Sequence, residues 1–335
     1  MRALVTGAAG FIGRHVAAAL LDAGAEVRGF DLRAADGARD GFEPIAGDIL
    51  DRDALVKALD HCDAVFHLAA LYSYNRSDAA RMRAVNVDGT RALLDAVARM
   101  PTRPRVVYTS SCATCGPVAG RAANEGDGPP SWELVVPYKR SKLDAERLAL
   151  DAAAAGQDVV VVNPTTPVGP GDDRPTPTGK MVRDVVAGKA PAYLAGSVLN
   201  IVAVQDVARS HVRAFERARA GQRYLLGGEN MSMRDVFGAI ARAAGRPAPR
   251  VALPWAPVYA AARAADALMR PLGREPRLLV LDEVRLARLP MAFDDAKARR
   301  ELGHESRPGV VALAEAAVAV RQSAARTGLN GQGEH

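Results

Sequence analysis

The stretch Arg2-Ala3-Leu4-Val5-Thr6-Gly7-Ala8-Ala9-Gly10-Phe11-Ile12-Gly13 decides the fold of this chain. Its first half is an apolar run that predicts a buried strand, and a helix is expected to follow over roughly 11–23. The same alternation continues, with further strands expected at 26–30, 64–67, 105–109 and 159–162 and helices at about 78–99 and 135–155. Because apolar strands separated by helices form parallel sheets covered on both faces, the sequence predicts an α/β fold with a Rossmann-type doubly wound sheet.

The three glycines of the stretch have separate roles in the predicted turn. Gly7 permits the tight turn, Gly10 lets the backbone approach a pyrophosphate, and Gly13 lets the helix lie close to the strand. The helix begins at Phe11 and Ile12, where free N–H groups and the positive end of the dipole favour a phosphate. A strand–turn–helix with only a structural role does not need this spacing, so the loop predicts a dinucleotide site.

Asp31 supports the same site from the end of the second strand. A carboxylate at this distance from the glycine loop accepts hydrogen bonds from the adenosine ribose. It also repels a 2′-phosphate, which favours NAD, whereas Arg33 can pair with that phosphate and keeps NADP as the alternative. Asp48 and Ile49 follow an expected third strand. They either flank the adenine, or Asp48 simply caps the next helix.

The pattern changes beyond Asn163. Residues 164–179 are rich in Pro and Gly and are expected to form a loop, where ligand contacts gather. Shorter helices and brief strands at about 200–204 and 222–226 follow. We therefore expect a dinucleotide-binding domain over 1–163, and a smaller C-terminal substrate lobe over 164–325 with some segments returning to the first domain. A flexible tail is expected over 326–335.

Composition argues against several classes of protein. The 335 residues, 49% of them hydrophobic, suffice for a large core, and no run approaches the ~18 apolar residues of a membrane span. No signal-peptide pattern precedes the first strand, so a cytoplasmic location is expected. The net charge of +6 comes from scattered Arg residues, which favours solvated helix faces and small anionic ligands over nucleic acid.

Tyr138 and Lys142 lie four residues apart in an expected helix, which puts them on one face. An ammonium beside a phenol favours the phenolate, so Lys142 is expected to lower the pKa of Tyr138 from its usual ~10 and to hold the nicotinamide ribose. The strand end Thr109-Ser110-Ser111 lies upstream, at the sheet edge where a hydroxyl can hydrogen-bond the substrate oxygen. Together with the glycine loop, this pair predicts hydride exchange with a substrate.

On these motifs the chain resembles the extended short-chain dehydrogenase/reductase superfamily, the NAD-dependent epimerase/dehydratases. The motifs are Thr6-Gly7-x-x-Gly10-Phe11-Ile12-Gly13, His67-Leu68-Ala69-Ala70, Asn86-Val87-x-Gly89-Thr90, Tyr108-Thr109-Ser110-Ser111, Tyr138-x-x-x-Lys142 and Asn163-Pro164-Thr165. The stretches 163–179, 226–230 and 296–303 are similar to the hopanoid-associated sugar epimerase group, beside the dihydroflavonol-4-reductase-like enzymes.

The resemblance implies roles for individual residues. Ser111 is the catalytic serine, Tyr138 the general acid/base and Lys142 its partner. Asn86 is a structural residue near the active-site helix. Further cofactor contacts are implied at Ala69, Ala70, Pro164 and Thr165. The resemblance also implies a homodimer through the helices near 78–99 and 135–155.

The chain departs from the family in its second half. Val202-Ala203-Val204-Gln205-Asp206 stands where relatives carry Val-His-Val-Asp-Asp, so the substrate need not be the family's usual one. Cys112 and Cys115 directly follow Ser111. Two cysteines supply too few zinc ligands, so no metal is expected and we interpret them as small pocket-wall residues.

Two reactions need the same triad. A sugar epimerase, the function the resemblance implies first, returns the hydride to the same molecule, whereas a dihydroflavonol-4-reductase-like ketone reductase releases the oxidised cofactor. A non-catalytic dinucleotide sensor is disfavoured because the serine, tyrosine and lysine are all present. Contacts to a small sugar-like or phosphate-bearing substrate are expected from Tyr72, Tyr74, Asn75, Lys180 and Arg183.

Overall fold

Strands and helices alternate through the first half of the computed structural model, which describes residues 1–34, 39–173, 175–272, 276 and 280–330. The strands are β1 (Arg2–Thr6), β2 (Glu26–Asp31), β3 (Phe42–Ala46), β4 (Ala64–His67), β5 (Arg105–Thr109), β6 (Val159–Pro164), β7 (Thr166–Val168), β8 (Ala192–Leu194), β9 (Val198–Ala203), β10 (Arg223–Leu226), β11 (Glu229–Ser232) and β12 (Val251–Leu253). The helices are α1 (Phe11–Asp22), α2 (Arg52–Leu59), α3 (Ala79–Arg83), α4 (Gly89–Arg99), α5 (Pro137–Ala154), α6 (Pro177–Val186), α7 (Val204–Arg217), α8 (Met233–Ala243), α9 (Trp255–Met269), α10 (Leu281–Leu286), α11 (Ala296–Leu302) and α12 (Gly309–Asn330).

Seven strands form one parallel sheet in the order β10-β6-β5-β4-β1-β2-β3. The order reverses between β1 and β4, and the carboxyl ends of parallel strands open a crevice at such a switch point. Side chains of β4 and β6 are buried along the whole strand, as expected for a sheet covered on both faces. The predicted α/β fold with a Rossmann-type doubly wound sheet is confirmed.

The residues fall into two compact units. The first comprises Met1–Thr165, Gln205–Gly227 and Phe293–Glu305 and contains the seven-stranded sheet; the second comprises Thr166–Val204, Gly228–Ala292 and the residues from Ser306 onward. That the second unit binds the substrate stays a prediction. Helix α12 extends to Asn330, and 331–335 lie outside the described residues, so the flexibility of the tail also stays a prediction.

The second unit contains a three-stranded sheet, β11-β9-β7, and the pair β12-β8. The loop predicted over 164–179 is therefore wrong in part. Residues Thr166–Val168 form β7, whose β-branched side chains suit a strand and which pairs parallel with β9 from Ile201 to Ala203. Helix α6 then begins at Pro177, where a proline is compatible with the first turn. Among the described helices of either unit, none is long and apolar enough to cross a bilayer.

The helix predicted over 78–99 is interrupted by a π-helical turn, Ala84–Asp88, between α3 and α4. This turn carries Asn86, whose Oδ1 accepts the Leu71 N–H at 2.7 Å and whose Nδ2 donates to the Leu71 carbonyl at 3.0 Å. The same amide donates to Ser141 Oγ in α5 at 2.9 Å. A π turn of this kind redirects one side chain of a helix, and here it fixes the segment after β4 against α5.

A buried hydrogen-bond chain connects β1, β4 and α4. His67 Nδ1 lies 2.7 Å from Thr6 Oγ1, and His67 Nε2 lies 2.9 Å from Thr90 Oγ1. Because Thr90 donates its hydroxyl hydrogen to the Asn86 carbonyl at 2.7 Å, it accepts from His67 Nε2–H, and Thr6 donates to Nδ1. Burial lowers the pKa of His67 to about 3, so the ring is neutral.

Replacing Thr90 with Val tests this chain. The substitution leaves the buried Nε2–H of His67 without its acceptor, which costs about 1–3 kcal/mol of unfolding free energy. Urea denaturation should show this loss for T90V and almost none for T102V, which makes the same change at an exposed position. Equal stability of T90V and wild type would contradict the assigned chain.

Candidate active site

The glycine loop between β1 and α1 can be built only from glycines at two positions. Gly7 has a φ of +72°, and a Cβ there would lie 2.7 Å from the Ala69 amide nitrogen. A Cβ on Gly13 would lie 2.0 Å from the Gly7 carbonyl oxygen. Helix α1 has no side-chain cap and no acidic residue in its first turn. Its first N–H groups are thus available to a phosphate, and the loop fits a dinucleotide.

Asp31, at the end of β2, lies against the same loop. Its Oδ2 accepts the Ala9 N–H at 3.1 Å, which fixes the carboxylate beside the turn, where the ribose contact was predicted. Arg33 follows on the exposed side. The predicted preference for NAD is consistent with this placement.

Asp48 does not cap the following helix. The N-cap of α2 is Asp51, which accepts from the Asp53 and Ala54 amides, because α2 begins at Arg52, later than the sequence indicates. Asp48 instead accepts the Leu50 N–H in a local turn. Ile49 is buried and packs closely on Gly89. A Cβ added to Gly89 would lie 2.9 Å from Cγ2 of Ile49. Contacts of Asp48 and Ile49 with adenine stay a prediction.

The three predicted catalytic residues lie together where β5 ends and α5 begins. Pro137 starts α5 with the φ that a helix needs, so Tyr138 stands in the first turn. The Ser111 hydroxyl, two residues beyond β5, acts on Tyr138 and lowers the pKa of its phenol. Lys142 lies one turn further along α5 and is buried. The four-residue spacing therefore places a phenol, a hydroxyl and an ammonium at one edge of the sheet.

The expectation that Lys142 lowers the pKa of Tyr138 is wrong. Burial raises the pKa of Tyr138 to about 12, and the effect of the Ser111 hydroxyl only partly opposes this shift. The Lys142 ammonium donates to the Thr109 carbonyl at 2.8 Å. Tyr138 is therefore a neutral phenol at neutral pH and a proton donor rather than a phenolate.

Lys142 is itself shifted by its surroundings. Burial lowers the pKa of its ammonium to about 8, although the Glu146 carboxylate acts in the opposite direction. The ammonium lies 5.1 Å from the centroid of the Tyr108 ring, a distance at which a cation and an aromatic face attract. Lys142 is charged at neutral pH and becomes neutral when the pH rises through about 8.

Glu146 is a site residue that the sequence reasoning missed. Its Oε2 accepts from Thr114 Oγ1 and from Asn163 Nδ2, each at 2.6 Å, and its Oε1 accepts from Arg223 at 2.7 Å. Asn163 Nδ2 also lies 3.1 Å from the Ser111 carbonyl oxygen. The signal was present, because Glu146 continues the four-residue spacing of Tyr138 and Lys142 along α5.

Cys112 and Cys115 are both free and buried. Burial raises the pKa of each thiol to about 12, so neither is a thiolate at neutral pH. The Cys112 thiol donates to the Thr165 carbonyl at 3.6 Å. Within the described residues, no group of three His, Cys, Asp or Glu side chains is arranged to hold a metal ion.

The predicted cofactor contacts beyond the glycine loop lie at the ends of β4 and β6. Ala69 donates its N–H to Thr6 Oγ1 at 3.3 Å, and Ala70 is exposed. Pro164 is buried, and Thr165 donates its N–H to the Leu226 carbonyl at 3.2 Å. These backbones stand at the same sheet edge as the glycine loop, and their contacts with a cofactor stay predictions.

One of the predicted substrate residues, Tyr72, lies beside Tyr138 and contacts a second, Tyr74. The Tyr72 ring is 4.2 Å from the Tyr138 ring, centroid to centroid, and its hydroxyl lies 2.8 Å from that of Tyr74. Asn75 is exposed nearby in the chain.

The other two lie in the second unit and already have protein partners. Lys180 forms an ion pair with Asp184 at 2.6 Å. Arg183 donates to the carbonyls of Asp172 and Asp173 at 2.6 and 3.2 Å. Their contacts with a substrate stay predictions.

Comparison with known proteins gives the same picture. The model of the NAD dependent epimerase/dehydratase family matches residues 3–227. The chain is 38% identical to a Synechocystis protein named dihydroflavonol 4-reductase, over 93% of this chain and 92% of that one. It is 34% identical to sterol demethylase protein B of Methylococcus capsulatus, over 90% and 93%. Its structure is similar to that of MoeE5 in complex with UDP-glucuronic acid and NAD, with a TM-score of 0.76, 27% identity and coverage of 96% and 100%.

Replacing Gly13 with Ala tests the glycine loop. The added Cβ would meet the Gly7 carbonyl, so α1 must move away from β1, and NADH should bind at least ~10-fold more weakly, about 1.4 kcal/mol. Titration followed by NADH fluorescence measures this. G128A is the matched control, since a Cβ at Gly128 has nothing within 4 Å. Wild-type affinity in G13A would refute the assignment.

Proposed function

The chain belongs to the NAD dependent epimerase/dehydratase family, and from this premise we propose that it is an oxidoreductase exchanging hydride reversibly between NAD and a secondary alcohol or ketone. The observation that carries the proposal is that Lys142, one turn beyond Tyr138 on α5, donates to the carbonyl of Thr109, two residues before Ser111. These groups stand at the sheet edge where the glycine loop and Asp31 also end.

The glycine loop and Asp31 are the residues proposed to hold NAD. The loop offers backbone N–H groups to the pyrophosphate, and Asp31 accepts from the adenosine ribose. The bound nicotinamide supplies the hydride donor or acceptor. NAD is also the cofactor in the MoeE5 complex, the structural neighbour described above. Arg33 leaves NADP as the alternative.

Tyr138 is proposed to move the proton. When a ketone is reduced, its oxygen gains negative charge, and the neutral phenol of Tyr138 donates a proton to it. Ser111 donates a second hydrogen bond to the same oxygen and stabilises the charge as it develops. Lys142 contributes a positive charge one helical turn further along α5. Because burial raises the pKa of Tyr138 to about 12, the phenol at neutral pH is in the protonated form that reduction of a ketone requires.

Ketone reduction is therefore the first candidate. The Tyr72 ring lies over Tyr138 and is 38% exposed, which offers an aromatic surface to a substrate ring. The Synechocystis relative's name, dihydroflavonol 4-reductase, refers to a substrate of this kind. Sugar epimerisation is the second candidate, favoured by the likeness to MoeE5 bound to UDP-glucuronic acid. The homodimer and the cytoplasmic location stay predictions.

The test is turnover of two probes by the purified chain. With NADH and dihydroquercetin, a dihydroflavonol, we expect loss of NADH absorbance; Tyr138→Phe should reduce the rate by about 10²-fold or more and leave NADH affinity unchanged. Tyr259→Phe, which removes the hydroxyl of a tyrosine stacked on Trp255 in the second unit, is the matched control.

The second probe separates the candidates. Interconversion of UDP-glucose with its epimer, without net NADH consumption and with tightly copurifying NAD, would replace reduction by epimerisation. Turnover in neither assay would reject both substrate classes. Full activity of Tyr138→Phe on either probe would reject the proposed acid.

The pKa of Lys142 predicts where kcat/KM falls on the alkaline side of its pH profile. The ammonium loses its charge progressively as the pH rises through about 8, so kcat/KM for reduction should fall over the same interval. Tyr138 does not contribute there because its pKa is about 12.

In Lys142→Arg, the guanidinium stays charged to at least pH ~12, so this limb should disappear although the absolute rate falls. Lys57→Arg, an exposed position, controls for the change of residue type. An unchanged limb in Lys142→Arg would assign the titration to another group.

A further inference from the structure

Several donors converge on one carbonyl oxygen of the candidate active site, that of Ser111. The Thr114 N–H and the Thr114 hydroxyl oxygen lie 3.1 and 2.8 Å from it, and Asn163 Nδ2 lies 3.1 Å from it. Ser111 Oγ accepts the Ala113 N–H at 3.2 Å, so the same short segment also orients the side chain. The backbone and the hydroxyl of Ser111 are therefore placed by the residues that follow it and by Asn163.

Both side chains that reach the Ser111 carbonyl also reach the Glu146 carboxylate. Thr114 Oγ1 and Asn163 Nδ2 each lie 2.6 Å from Glu146 Oε2, and they lie 2.9 Å from each other. The Thr114 hydroxyl carries one hydrogen and the Asn163 amide carries two. These hydrogens are shared between the carboxylate and the Ser111 carbonyl, so the carboxylate decides how both side chains are oriented.

Glu146 is itself held from its other oxygen. The Arg223 guanidinium donates to Glu146 Oε1 at 2.7 Å and to the carbonyls of Glu125 and Asp127 at 2.7 and 2.6 Å. The Glu146 side chain is 2% exposed, so its charge depends on these partners rather than on water. The steps proposed for the reaction use neither Glu146 nor Arg223. A buried carboxylate with donors on both oxygens is a fixed reference for the segment that carries Ser111.

We propose that Glu146 is a positioning residue for Ser111. Its carboxylate orients the side chains of Thr114 and Asn163, and these fix the Ser111 carbonyl and the backbone that carries the Ser111 hydroxyl. Glu146 touches neither substrate nor cofactor in this role. The proposal rests on the proposed function only in assigning Ser111 to the reaction.

The test reads the Ser111 segment without any substrate. The Ala113 and Thr114 amides donate to Ser111 Oγ and to its carbonyl, so their hydrogen exchange, followed by NMR, reports how firmly Ser111 is held. Glu146→Gln keeps the side-chain volume, but an NH2 group replaces one oxygen and faces donors of the protein. Exchange of both amides should accelerate by ~10-fold or more, because a buried donor loses its acceptor.

A second variant keeps the test decisive if Glu146→Gln is unstable. Glu146→Met/Arg223→Met removes both buried charges together, a replacement that often leaves stability unchanged, and it should accelerate the same two amides. Thr90→Val lowers stability at the hydrogen-bond chain of His67 and should leave these amides at the wild-type rate. Glu216→Gln, at an exposed position, is the matched control for the change of residue type and should also leave them unchanged.

Two results would overturn the proposal. Wild-type exchange of the Ala113 and Thr114 amides in either folded Glu146 variant would show that the carboxylate serves stability alone. Equal acceleration in Thr90→Val would mean that the amides report global opening. Both readings are independent of whether any probe is turned over. Where a probe is reduced, Glu146→Gln should lower kcat and leave the affinity for NADH unchanged.

Discussion

The carboxylate of Glu146 is the fixed point on which the candidate active site depends. It is buried and accepts hydrogen bonds from Thr114, Asn163 and Arg223. A buried carboxylate deprived of one charged partner costs the fold about 3–5 kcal/mol, so these donors are held in place. They come from the segment after β5, the end of β6 and the start of β10. One side chain of α5 thereby ties three neighbouring strands to the helix that also carries Tyr138 and Lys142.

Desolvation, rather than the neighbouring charge, sets the protonation of the site. A neighbouring ammonium lowers the pKa of a tyrosine only when its attraction for the phenolate exceeds the free-energy cost of burying that charge. Here the ammonium donates to the Thr109 carbonyl, and burial acts on both groups in the direction that favours their neutral forms. The result is an acid that holds its proton beside a base with a moderate pKa. This combination suits protonation of a developing alkoxide.

Residue spacing allowed the sheet and the glycine loop to be predicted. The strands that build the centre of the sheet were located by their apolar runs, and Gly13 by its place at the start of a helix. Spacing also put Tyr138 and Lys142 on one face. It could not tell where the ammonium points, because that depends on a carbonyl from β5. Spacing also could not identify β7. Pro167 is untypical of a strand, and the segment forms one because it pairs with β9.

Burial is the property that sequence conveyed least, and it separates Lys139 from Arg140. Both follow Tyr138 as basic residues on a helix expected to be half solvated. Lys139 is enclosed with Glu133, whereas Arg140 is exposed with Asp144. A helix turns by about 100° per residue, so neighbours in sequence face different surroundings. A motif of the form Tyr-x-x-x-Lys therefore does not specify the surroundings of the residue that follows its tyrosine.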